Sequence, residues 1–91
     1  MPVYRVRDLR VGMASVTVVV RVLEVGEERL VRCGDGRVRR VADALVADGT
    51  GTIPMTLWDD DVDLVRGQGG LVRVRNGYVT FFRGRARLTR G

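Results

Sequence analysis

The sequence predicts an all-β domain of five strands, with one short helix between the third and the fourth. Three observations carry that prediction. Valine dominates the apolar residues and recurs at every second position, the spacing at which strand side chains return to one face. Clusters of Gly and Asp, the residues that make tight turns, separate these runs. One segment, residues 59–67, instead places acids at its start and Arg-Gly at its close, the polarity of a helix. Its 91 residues allow one domain with one modest core, expected over residues 1–91 with a body at about 6–90 and a frayed start at 1–5.

Along Ser15–Val25, Val16, Val18, Val20 and Val22 form one face, with Thr17, Val19, Arg21 and Leu23 on the other. This is a long first strand that bends after Gly26-Glu27-Glu28 and continues through Leu30 to Arg32. Gly34-Asp35-Gly36 is a hairpin turn whose glycines tolerate positive φ, and residues 37–47 form the return strand. The hairpin 29–40 carries Arg29, Arg32, Arg37, Arg39 and Arg40 with few large apolar residues, so it is expected to project as a basic arm. After the turn Asp48-Gly49-Thr50-Gly51, the third strand alternates Ile53, Met55 and Leu57 with Thr52, Pro54, Thr56 and Trp58. Asp59 to Gly67 is the helix. Its consecutive aspartates cap and solvate its N-terminal end rather than converge on one metal ion.

The last segment changes parity. Val72 and Val74 are inward at even positions, whereas Val79 and Phe81 are inward at odd ones, and one extra residue at Asn76-Gly77 would reverse the face. Tyr78 and Phe82 then emerge outward with Arg73 and Arg75. Past the turn at Arg83-Gly84, Ala86 and Leu88 point in while Arg85 and Arg87 point out. Five strands with a helix between the third and fourth is the layout of an OB-fold barrel. A small SH3-like barrel is the competitor, and it accommodates a helix at residues 59–66 less naturally.

All 16 basic residues are arginine, histidine is absent, and the net charge is +5 with a pI near 10.9. Summed positive potential concentrates polyanions, so an anionic partner is expected. Cys33 is the only cysteine, read as a small hairpin residue, which excludes an intramolecular disulfide and the usual zinc constellations. No membrane span or signal-like run is visible, and a cytoplasmic, nucleoid-associated setting without a membrane partner is expected. With no histidine, no paired nucleophile and base, and no phosphate loop, no enzymatic activity, cofactor or metal is expected.

Trp58 is the single tryptophan, and it stands at an outward position of the third strand. A large aromatic on the outside of a sheet is unfavourable surface unless something docks on it. Single-stranded nucleic acid exposes π-faces and a phosphate backbone, so aromatics flanked by arginines bind it with little sequence preference. Trp58, Tyr78 and Phe82 are the expected base platforms. The arginines of the hairpin and of the last two strands, including Arg39, Arg73, Arg75, Arg83 and Arg85, are the expected phosphate contacts. Two other readings remain open: a protein-interaction module docking an acidic peptide or subunit, and an RNA-binding domain.

Val20-Arg-Val-Leu-Glu24, Ala42-Asp-Ala-Leu-Val-Ala-Asp-Gly-Thr-Gly51, Met55-Thr-Leu-Trp58 and Asn76-Gly-Tyr-Val-Thr-Phe-Phe-Arg-Gly84 resemble the archaeal single-OB-fold single-stranded DNA-binding proteins. These are similar to short eukaryotic single-stranded DNA-binding proteins and to the DNA-binding domains of replication protein A. The resemblance spans Val6 to Gly91. It implies base stacking on Trp58, Tyr78 and Phe82, with tyrosine where tryptophan is common, an apolar contact from Val31, and a channel lined by Arg29, Arg32 and Arg37. It also implies a monomer that serves replication, repair and recombination on single-stranded DNA, with single-stranded RNA and repair or transcription proteins as further partners. Relatives recruit such partners through a flexible C-terminal tail that has no counterpart up to Gly91. Arginines replace the family's lysines, which keeps phosphate contact and adds guanidinium stacking.

Overall fold

The computed structural model describes residues 3–68 and 70–90. β1 (Val16–Val25) buries Val16, Val18 and Val20 completely, as their alternation requires. Its expected bent continuation is a separate strand, β2 (Arg29–Arg32): the first strand stays paired only as far as the Gly26 N–H, which donates to the Asp43 carbonyl at 2.7 Å, and pairing resumes at Arg29 opposite Val41. β3 (Val38–Ala47), β4 (Thr52–Trp58), α1 (Asp60–Gln68), β5 (Leu71–Phe82) and β6 (Arg85–Arg90) follow.

The strands close into a ring. β1 pairs with β5, β5 with β6, β6 with β4, β4 with β3, and β3 returns to β1, leaving β2 as an extension on β3 alone. β4 and β6 run parallel, with Met55 beside Leu88 and Thr56 beside Thr89; the other ladders are antiparallel. Ring strands β1, β3, β4, β5 and β6 are the five expected, and α1 lies between the third and fourth of them. A closed ring leaves its members no free edge and gives every strand one dry face.

The ring strands send alternate residues inward: Ala42, Ala44 and Val46 from β3, Ile53, Met55 and Leu57 from β4, Leu88 from β6, and Val74 and Val79 from β5, where the parity switches between them. Each fully buried Val or Leu contributes roughly 1.5–3 kcal/mol relative to exposure. Val62 and Val65 of α1 close the end of the ring where β4 finishes, and Val6, which begins a 3-10 turn at Val6–Asp8, and Leu9, which follows it, cover the end at the β3–β4 turn. There Asp48 accepts the Val6 N–H at 2.9 Å. Tyr4 departs from the expectation of a frayed start: its N–H reaches the Thr17 carbonyl at 2.8 Å, forming a short bridge to β1.

The bulge lies where the parity reversal placed it. Val16 pairs with Gly77 but Val18 with Val74, so Arg75 and Asn76 together oppose Thr17 alone. Asn76 takes the extra turn at φ 56°, in the left-handed region that asparagine tolerates better than most residues. Beyond it Gly77 and Val79 face the core while Tyr78 and Phe82 face out. Phe81 does not follow that parity and is 65% exposed. Pairing with β1 ends at Gly77, the chain at Gly12 and Met13 hydrogen-bonds the Val79 backbone, and Phe81 lies beyond both.

The β2–β3 hairpin projects from the ring, with Leu30 and Val38 well exposed. Its base is nonetheless held. The Arg40 guanidinium donates to Glu28 at 2.8 Å and to Asp63 of α1 at 2.7 Å.

Candidate nucleic-acid interface

One outer face of the sheet becomes a groove because cross-strand partners share a face. Trp58 lies opposite Val41 and Thr56 opposite Asp43 across β4–β3, while Thr56 adjoins Thr89 across β4–β6. Tyr78 pairs with Thr89, Thr80 with Arg87 and Phe82 with Arg85 on β5–β6. Arg29 opposite Val41, and Val31 opposite Arg39, carry the same face onto the hairpin. The result is a cleft of about 420 Å³ between the hairpin and the end of β5, lined by Val31, Trp58, Tyr78, Phe81 and Phe82. It runs past Trp58 and Tyr78 into a second depression beside Asp59, Asp61 and Arg90.

Arginines lie over these aromatics. The Arg39 guanidinium sits 4.6 Å from the Trp58 ring centre, so the indole is on the outer face as expected but half-buried rather than open to water. Arg87 and Arg83 stand 4.9 and 5.2 Å from the Phe82 ring, which is still 49% exposed. Tyr78 is 38% exposed. Guanidinium planes on ring faces are cation–π contacts, and each adds a flat surface on which a base can stack.

Carboxylates partner the same arginines. Asp43 accepts from Arg87 at 2.7 Å through one oxygen and from Arg29 at 3.3 Å through the other. Arg87 also donates to the Thr56 hydroxyl at 3.1 Å, and its Nε is buried with no partner among the described residues. Arg39 binds Asp59 at 2.8 Å, and Arg90 binds Asp61 at 2.6 Å. The hydrogen bond from Arg39, with a second from the Arg40 N–H, holds the Asp59 carboxyl below its usual range, and the same contact raises the Arg39 guanidinium. These cations are thus positioned in advance, and a phosphate must compete with aspartate for them.

The structure brings Trp58, Tyr78, Phe82, Val31, Arg29 and Arg39 to this groove, with Arg83 at its rim. Arg32 is not among them: it sits opposite Val38, one step out of phase with Val31, and leaves on the far face of the hairpin. Arg37 is at the arm's tip beside Asp35, 3.7 Å away. Arg73 precedes the bulge and Arg75 is part of it, and both line a separate depression on the α1 side of the ring, with Leu64 and Val72. Arg85 shares the outer face with its partner Phe82, but it lines another hollow, with Thr52 and Pro54. Asp43 and Phe81 are groove residues that sequence reasoning missed, and Arg87 was read only as one of the outward arginines of the last strands. The outward parity of Arg87 was readable; its tie to Asp43 depends on three strands coming together.

Residues 2–90 match the family described as single-stranded DNA binding protein Ssb-like, OB fold. The chain belongs to this family. It is 37% identical over 87 residues to the single-stranded DNA binding protein Ssb of Saccharolobus solfataricus, across 96% of this chain and 57% of that protein. It is 32% identical over 77 residues to replication factor A of Methanothermobacter thermautotrophicus, across 85% of this chain and 10% of that protein. The chain therefore spans little more than half of the first relative and a tenth of the second. Among solved structures, the second OB-fold domain of replication protein A from Methanococcus maripaludis superimposes with a TM-score of 0.81 at 23% identity, covering 97% of this chain and 88% of that one. Family and fold agree with the closed ring and its helix.

Proposed function

We propose that this chain binds single-stranded DNA with little dependence on sequence. Bases stack on Trp58, Tyr78 and Phe82, and phosphates are held by Arg29 through N–H groups that Asp43 leaves free, by Arg39 once Asp59 releases it, and by Arg83. The observation that carries this reading is that the three aromatics line one continuous groove on a single sheet face. Stacking is available to every base of a single strand, because each has a π-face, whereas the bases of a duplex already stack on one another and offer these rings no free face. Membership of a family described as single-stranded DNA binding supports the same reading, and the likeness to replication factor A favours replication as the setting, with repair and recombination as further settings.

Titration of Trp58 fluorescence with a short oligothymidine tests it. Quenching is expected with single strand and little change with the matching duplex. Log affinity should fall linearly with log salt, by about 0.7 for each phosphate contact and hence by roughly 1.5–3 for a short site of about 4 to 6 nucleotides. A flat salt response, or equal affinity for duplex, would reject the reading in favour of a protein-docking face.

A further inference from the structure

A carboxylate in the floor of a cationic groove is out of place for pure phosphate binding. Asp43 is 44% exposed there, between Arg29 and Arg87, and it reduces the positive potential that draws in a backbone. What it adds is an acceptor-only group at the level of the base edges. Across the groove, the hydrogen-bonding groups run in order as the Arg29 donor, the two Asp43 oxygens as acceptors, and the Arg87 donor. Each oxygen accepts one guanidinium and retains a lone pair for a ligand.

We propose that Asp43, flanked by Arg29 and Arg87, forms a subsite that selects guanine over thymine. This rests on the single-strand reading above and adds one selective position to an otherwise tolerant groove. The Watson–Crick edge of guanine presents acceptor O6, donor N1–H and donor N2–H₂ in sequence. Against donor–acceptor–acceptor it makes three matched contacts, since the two carboxylate oxygens match the spacing of N1 and N2 while the adjacent guanidinium meets O6. Cytosine, as donor–acceptor–acceptor, and adenine, as donor–acceptor, each match two groups. Thymine presents acceptor–donor–acceptor, so one of its carbonyls must face a carboxylate oxygen. The Thr56 hydroxyl, whose oxygen already accepts from Arg87, keeps its own hydrogen for a neighbouring carbonyl.

The test uses thymidine oligonucleotides carrying one guanine, inosine, cytosine or adenine at successive central positions, titrated against the whole chain. At the best position guanine should bind roughly tenfold tighter than thymine, as befits one added bidentate pair. Inosine, which lacks only the N2 amino group, should lose most of that advantage. Asp43→Asn should bring the guanine-to-thymine ratio close to one, and because the ratio is taken within one protein, a general change in affinity cancels. Equal binding of guanine and inosine by the wild-type chain overturns the proposal without any variant, as does an unchanged ratio in folded Asp43→Asn. Failure of the all-thymidine strand to bind at all would instead reject the single-strand reading itself.

Discussion

At the scale of single residues, Trp58 is the most informative. Its neighbours in β4 send Ile53, Met55 and Leu57 inward, so truncating the indole leaves the core untouched. Trp58→Ala is expected to weaken single-strand binding by about 1–3 kcal/mol while the thermal midpoint barely moves, measured by anisotropy titration beside a melt. An unaltered affinity in the folded variant would remove Trp58 from the interface. The orientation of Trp58 was legible because alternation is a local property of seven residues. The guanidinium over its ring was not, since Arg39 reaches it only through the pairing of β3 with β4. The same holds for Asp43, whose two partners come from β2 and β6.

At the scale of elements, the bulge and the hairpin behave differently. The bulge was legible in the sequence, because an apolar pattern that switches parity beside Asn-Gly requires one extra residue at that point of the strand. Gly77 is the residue that makes it possible: a Cβ there would meet Val74 Cγ1 at 3.2 Å and Leu88 Cδ1 at 3.3 Å. Gly77→Ala should therefore destabilise the ring by roughly 1–3 kcal/mol through overpacking, read as a lower denaturant midpoint with an unchanged slope. In the hairpin, composition gave the basic character but could not separate its faces, because arginine at both parities leaves register unmarked. With register known, Arg29→Ser should weaken binding and flatten its salt dependence by about 0.7, whereas Arg32→Ser on the far face should leave both close to wild type. Equal losses for the two variants would mean the arm is contacted on both sides.

At the scale of the whole molecule, acid is the condition that loosens the joints between elements. Hydrogen bonds from Arg40 lower the Glu28 and Asp63 carboxyls, and the contact with Arg39 lowers Asp59. Burial works against ionisation of Asp48, but hydrogen bonds from the Thr50 hydroxyl and from the Val6, Thr50 and Gly51 N–H groups outweigh it. All four folded-state values lie below ordinary ones of 3.8 for Asp and 4.5 for Glu. Their stabilisation is therefore complete above the unfolded values and is lost as pH drops through the folded ones. The melting temperature should hold steady down to about pH 5 and fall progressively below about pH 4. The hairpin and the N-terminal segment, tied down by these carboxylates, should lose hydrogen-exchange protection before the core strands do.

The position of β6 in the ring has a consequence for how the protein is made. It comes latest in the described sequence, yet it is seated between β4 and β5, so a chain still emerging from the ribosome has an open seam until residues 85–90 leave the exit tunnel. Until then β4 and β5 offer unpaired edges to the wrong neighbour, and Arg87 and Thr89 are missing from the groove floor. Ring closure and groove completion thus occur in one step, when residues 85–90 take their place between β4 and β5.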